Sequence, residues 1–195
     1  MLPLLEIAQT ASWMNPELLQ LSRLPMHSTF WSLENASRAL ELSYFAVPDQ
    51  SSPWVKSLDG TWDIAVYSNP QAVPPEVLED LLPTGFSSIP VPSNIQFFGH
   101  DTPWYTNVQM PFLHEPPFAP EDNPTAVYRR QFSTPLEWQN RRVVLHFGAA
   151  ESILFVYLNG QPVGMSKDSR LPAEFDISGQ LRFDKPNILV AVVIK

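Results

Sequence analysis

Residues 151–167 read ESILFVYLNGQPVGMSK. The apolar run before Asn159 reads as a strand, and Asn159-Gly160 is a strong signal for a two-residue hairpin turn. QPVGMSK then returns as the partner strand. Working outward, AVYRRQFS and RRVVLHFG read as strands upstream, and SRLPAEFDIS and NILVAVVIK downstream. Further back, Asp59-Gly60 marks a turn. After it Trp62, Ile64 and Val66 alternate with Asp63, Ala65 and Tyr67, the period of a half-buried strand. Short strands in quick succession, separated by turn signals, predict an all-β antiparallel sandwich over residues 58–195.

The rest of the chain is irregular. Its 195 residues include 21 prolines but only 7 glycines, a balance that favours loops and edge strands over long helices. PPEVLEDLL, with Gly85 after it, reads as a short helix. FSSIPVPSN is extended, and residues 95–125 form a long loop of the kind that usually carries function. Residues 1–57 read as an extended N-terminal arm. Within it NPELLQLSRL offers two helical turns with Asn15 as N-cap and Pro16 at the first helical position. SLENASRALEL offers a second weak helix, supported by Glu34 four residues before Arg38. The other reading of this stretch is local turns. Such an arm cannot form a core alone and must lie on the sandwich or on another chain.

Bulk properties exclude several classes. Hydrophobic residues make up 44% of the chain, so it is not a disordered polypeptide. It has no cysteine, hence no disulfide framework and no thiolate chemistry. The formal net charge is −8, with 3 basic and 14 acidic side chains up to residue 128, and 9 basic and 6 acidic beyond it. The basic residues form no stripe, which argues against nucleic acid as a partner. No uninterrupted apolar stretch is long enough to cross a bilayer, and the start lacks a basic n-region and carries Glu6. A cytoplasmic protein is the expectation. The abrupt stop after an apolar strand suggests a piece of a longer polypeptide.

Inside the long loop, residues 101–112 read DTPWYTNVQMPF. Pro103 and Pro111 stiffen it, and Trp104 and Tyr105 offer aromatic faces with polar tips. Two roles fit Asn107: a turn residue bonding its own backbone, or an amide aimed at a hydroxyl-rich ligand, where it can donate and accept at once.

The stretches SLDGTWDIAVY, PSNIQFFGHDTPWYTNVQMPF, PPFAPEDNPTAVYRRQF and LNGQPVGMSKDSRLPAEFDIS resemble, in this order, the N-terminal domain of large bacterial β-galactosidases of glycoside hydrolase family 2. SWMNPELLQLSRL is similar to the arm of that group, so the resemblance covers residues 12 to 195. It implies a galactose-binding-like jelly roll. The activity it implies is retaining hydrolysis of terminal β-galactosides by two glutamates, which sit about 5–5.5 Å apart in retaining enzymes. Both belong to a barrel domain outside these residues, so no catalytic residue is expected here. The resemblance makes Asn107, within Tyr105-Thr106-Asn107, a galactose ligand, and places Val108 in the same subsite. It also implies magnesium and a monovalent cation in the parent enzyme, with no cofactor held by this segment. The partners implied are a galactoside, the remaining domains and neighbouring subunits of a homo-oligomer. The arm, with Leu2, Leu4, Leu5 and Ile7, could serve subunit contact or pack on its own domain. Competing readings are an autonomous carbohydrate-binding module, or the same domain of a β-glucuronidase or β-mannosidase.

Other polar groups read as structural. The histidines His27, His100, His114 and His146 show no metal-ligand spacing, and His146 reads as a packed or hydrogen-bonded strand residue. Asp168, Arg170, Glu174 and Asp176 look catalytic when grouped, yet Arg170 can fork onto a carboxylate and fix the loop to the sandwich. Trp62 reads as core. Trp104 is the tryptophan expected nearest a ligand.

Overall fold

Asn159 and Gly160 both take positive φ, 54° and 81°. That is the pair of left-handed residues a type I′ hairpin turn requires. The computed structural model describes the chain apart from residues 8–9, 29, 31, 34, 42–51, 82 and 104–119. In chain order the strands are β1 (Glu6–Ile7), β2 (Thr10–Ala11), β3 (Gln20–Leu21), β4 (Gly60–Tyr67), β5 (Ser87–Val91) and β6 (Thr125–Phe132). They continue as β7 (Val144–Phe147), β8 (Ile153–Leu158), β9 (Gln161–Ser166), β10 (Ala173–Asp176) and β11 (Asn187–Ile194). The described α-helix is α1 (Ala36–Glu41). Seven strands form one antiparallel sheet in the order β3-β9-β8-β11-β6-β4-β5, and β7 pairs with β10 in a second sheet. The all-β antiparallel sandwich expected from the strand pattern is therefore the fold.

The central strands β8 and β11 of the large sheet are covered on both faces. Leu154, Val156 and Leu158 of β8, with Leu189 and Ala191 of β11, face a core shared with Leu145 of β7 and Phe175 of β10. The alternate residues Phe155, Tyr157, Val190, Val192 and Ile194 face a second core, closed by Leu2, Leu5 and Trp13 of the arm and by Val73 and Val77. Strands buried on both faces read as continuous apolar runs, which explains why NILVAVVI shows no polar alternation.

The arm is more regular than its sequence suggests, and less helical. Residues 16–24 do not form two helical turns. The Asn15 side chain accepts a bond from the Glu17 N–H at 3.0 Å, an Asx turn rather than a helix cap. The chain then adds as edge strand β3 to β9, pairing Gln20 with Ser166 and Leu21 with Met165. A free sheet edge offers a full ladder of backbone partners, and that outweighs the weak helical propensity of ELLQLSRL. The expected helix at Ala36 does form, with Asn35 Oδ1 accepting from the Arg38 N–H at 2.9 Å. PPEVLEDLL shortens to a 3-10 turn over Pro75–Leu78. Buried Arg129 donates to the carbonyls of Val77 and Asp80 at 3.3 and 2.7 Å and so closes the end of that turn. The apolar start of the arm packs on its own sandwich, since Leu2 and Leu5 are fully buried there.

Candidate functional site

The expected substrate residues Asn107 and Val108, with Trp104, lie outside the described residues. Their setting is given by the two stems of segment 104–119. On the entry side a 3-10 turn, Ile95–Phe98, ends at Gly99, whose φ of 75° supplies the left-handed cap. Phe97 stands outward from this turn, 84% exposed. Asp101 follows, with its side chain only 7% exposed. Its Oδ2 accepts from Lys195 Nζ at 2.5 Å and from Gln96 Nε2 at 3.1 Å. Burial pushes the Asp101 carboxyl up, but the bonds from Lys195, the Thr102 backbone and Gln96 outweigh it and hold the group below its ordinary value. On the exit side Asn123 N–H donates to Ser68 O at 2.9 Å, and the Thr125 hydroxyl donates to Asn123 O at 3.0 Å.

The carboxylates grouped in KDSRLPAEFDIS separate in space, each onto its own partner. Asp168 pairs with Arg23 of the arm. Arg170 reaches Glu151 at 2.5 Å. Asp176 accepts from Ser178 Oγ at 2.6 Å and Arg142 Nε at 3.0 Å. Glu174 is held from two sides, by His146 Nδ1 at 2.9 Å and His27 Nε2 at 2.7 Å. None is presented to a ligand as a free pair, so their structural reading stands, and His146 is the hydrogen-bonded strand residue expected. Among the described residues no three His, Asp or Glu side chains form a set able to hold a metal ion. The shallow depression lined by Phe147, Leu154, Asp168 and Ala173 has no interior volume for a ligand.

His27 has carbonyl Ser28 O at 2.8 Å from Nδ1 and a carboxylate at Nε2. Both neighbours only accept, so both ring nitrogens must carry protons. The Ser28 carbonyl and then Glu174 raise the His27 pKa from its ordinary 6.5. Glu174 is pushed up by burial, but the bonds from His146 and His27 more than offset this and leave it below 4.5. The sign follows for each group. The His27 contribution is complete below pH 6.5 and is lost as pH rises through its elevated folded value. The Glu174 contribution is complete above pH 4.5 and is lost as pH falls through its depressed one. The adjoining Leu24 N–H donates to Glu174 O at 2.8 Å. Its protection against hydrogen exchange should therefore hold a plateau between those values and fall on either side. His27→Gln should remove the alkaline fall, and a flat profile from about pH 5 to about pH 8 in the unmodified chain would refute the contact.

Three of the described tryptophans make structural contacts. Trp62 is buried and donates to Leu58 O at 2.7 Å. Trp138 donates to Pro53 O at 3.0 Å, and Trp54 lies under the Arg141 guanidinium, 4.0 Å from its ring centre. Sequence reasoning missed Asp101 and Lys195 as partners. The two are far apart in the chain, and only the sheet brings the end of β11 to the loop stem.

Residues 55–195 match the family model described as glycosyl hydrolases family 2, sugar binding domain. Among curated proteins the chain is 39% identical over 191 residues to a β-galactosidase of Pectobacterium atrosepticum, covering 96% of this chain and 17% of the relative. It is 39% identical over 193 residues to a β-galactosidase of Erwinia tasmaniensis, covering 98% and 18%. The chain thus spans less than a fifth of these relatives' length. Among solved structures, a β-glucuronidase of Ruminococcus gnavus matches with a TM-score of 0.54 at 25% identity, over 71% of this chain and 21% of that one. A Bifidobacterium dentium β-glucuronidase complexed with coumarin-3-O-glucuronide matches at 0.51 and 28%, over 70% and 19%. Among the described residues no helix is long and apolar enough to cross a membrane.

Proposed function

This chain belongs to family 2 of the glycosyl hydrolases, and from that premise we propose that it is the N-terminal domain of a cytoplasmic β-galactosidase. It supplies Asn107 and Val108 to the galactose subsite, while the two catalytic glutamates come from another part of the enzyme. The observation that carries this reading is the level and reach of the identity to β-galactosidases, 39% across nearly the whole chain including the arm. The Tyr105-Thr106-Asn107 stretch supports it. The structural likeness to β-glucuronidases supports the runner-up, the same domain in an enzyme for glucuronides, but at 24–28% identity it speaks chiefly for a shared scaffold. Magnesium and the monovalent cation belong, on this reading, to the parent enzyme's other segments. Since Leu2 and Leu5 are buried in their own domain, contact with neighbouring subunits falls to exposed arm residues such as Leu19 and Phe30.

The test is complementation. The chain is assayed on chromogenic β-galactosides and β-glucuronides, alone and mixed with the P. atrosepticum β-galactosidase lacking its matching N-terminal segment. No activity alone and galactosidase activity on mixing are expected. Asn107→Ala should lower the complemented kcat/KM about 30- to 100-fold, the cost of stranding a sugar hydroxyl in a desolvated site. Galactosidase activity of the chain alone would overturn the reading. Millimolar galactose binding by the lone chain would make it an autonomous module.

A further inference from the structure

The arm touches both sheets of the sandwich, and different chemistry holds it on each. Its near half lies on the large sheet. There Gln20 and Leu21 pair with β9, and the Lys167 N–H donates to Leu19 O at 2.9 Å. Ser22, at φ 52°, bends the chain. Arg23 then anchors the bend, donating to Ser166 Oγ at 3.0 Å and pairing with Asp168. The far half passes to the small sheet. Arg23 bridges to Phe175 of β10, and the Leu24 N–H donates to Glu174 O at 2.8 Å. In this register the next hydrogen-bonded rung would set Met26 against Pro172, which has no N–H to give. The tie that follows is instead a side chain, His27 Nε2 to Glu174 Oε2 at 2.7 Å.

We propose that residues 24–28 are a pH-released clasp: this far half of the arm leaves β10 when His27 loses its proton, while the near half stays on β9. The His27 ring faces an acceptor at each nitrogen, Ser28 O at 2.8 Å and the Glu174 carboxylate. A neutral imidazole has one N–H, so it must give up one of these bonds. The charges around the ring leave it that single carboxylate. Glu174 Oε1 also takes His146 Nδ1 of β7 at 2.9 Å, Asp176 is engaged by Arg142 at 3.0 Å, and Asp168 by Arg23. Because Glu174 keeps His146 when His27 departs, opening does not strand the carboxylate. Residues 25–28 are exposed, and segments that bury little apolar surface open locally before the fold does. The near half answers differently, since neither strand pairing nor a guanidinium titrates near neutrality. The sign follows from the raised pKa of His27: the clasp is closed below pH 6.5 and opens as pH rises through the elevated folded value. Once open, it uncovers the backbone edge of β10 with the sandwich still folded.

The test is amide hydrogen exchange of the 195-residue chain between about pH 6 and about pH 8.5, corrected for the intrinsic pH dependence of exchange. Two amides report the two halves: Leu24, which donates to β10, and Lys167, which donates to Leu19 O. In the unsubstituted chain Leu24 should lose protection about two- to fivefold over this range, the worth of a partly exposed ion pair, while Lys167 keeps its own. His27→Gln should leave Leu24 at the lower protection throughout. His27→Arg, whose cation does not titrate, should hold it at the higher one. His146→Gln should keep the alkaline fall, which assigns the response to His27. The two imidazole side chains are 42% and 54% exposed, so these replacements leave the cores intact. Equal falls at Leu24 and Lys167 would mean that the arm leaves as one body and would overturn the clasp. So would a flat Leu24 profile in the unsubstituted chain, or an alkaline fall that survives His27→Gln.

Discussion

A chain shortened to residues 16–195 should lose its native fold, although every strand of the large sheet would still be present. The missing residues include Leu2, Leu5 and Trp13, which are 1%, 0% and 7% exposed and close the second core over Phe155, Tyr157 and Val192. Truncating one buried leucine costs about 2–5 kcal/mol and a buried tryptophan about 3–5. Losing all three therefore approaches about 10 kcal/mol, comparable with the whole stability of a domain, about 5–15 kcal/mol. Polar groups would be stranded too. The Tyr157 hydroxyl donates to Pro3 O, and Lys167 Nζ donates to Ser12 O and Asn15 O at 2.7 and 2.6 Å. The shortened chain should either lack a cooperative thermal transition or melt at least about 20 °C lower, and should bind a hydrophobic dye. A single Leu5→Ala change should cost about 3 kcal/mol. If the shortened chain melted within a few degrees of the intact one, the arm would be an appendage and not half of a core.

The strands and their hairpin were legible because each announces itself locally: alternation in β4, the left-handed pair at Asn159-Gly160, apolar runs in β8 and β11. The arm was not, because its order comes from what it covers. Leu2 and Leu5 read equally well as a patch for a neighbour, and only the apolar face of the large sheet that they cover decides between the two. The same holds for the acidic stretch that looked catalytic. Ser166 and Asp168 accept from Arg23, Lys167 donates to the carbonyls of Ser12 and Asn15, and Glu174 binds His27 through its carboxylate and accepts the Leu24 N–H at its carbonyl. The nine-residue strip from Ser166 to Glu174, running from the end of β9 into β10, is thus the dock for the arm. Its dense pattern of charge and small polar groups follows from that task. For the proposed sugar contact the sequence is informative through the Tyr105-Thr106-Asn107 stretch, whereas the Lys195–Asp101 ion pair spans 94 positions and leaves no local trace.

Gly164 is where that dock tolerates least. A Cβ added there would lie 2.5 Å from Leu21 O of β3 and 2.7 Å from two ring carbons of Phe175. Neither obstacle can yield cheaply. The carbonyl belongs to the edge strand, so moving it breaks the pairing of Gln20 with Ser166 and Leu21 with Met165. The ring is fully buried and meets Phe147 edge to face at 6.4 Å. Gly164→Ala should therefore cost about 3 kcal/mol, the upper part of the usual range for overpacking, and Gly164→Val more. Urea unfolding should show a lower midpoint, and residues 14–28 should become sensitive to protease before the sandwich does, as β3 leaves β9. Gly148→Ala is the control, since nothing lies within 4 Å of the added carbon there, and it should be near neutral. Phe175→Leu in the Gly164→Ala background distinguishes the two obstacles. Because the closer contact is backbone, it should recover no more than about 1 kcal/mol. A full recovery would mean that the ring alone excludes a side chain and that β3 can shift freely, which would contradict a fixed dock for the arm.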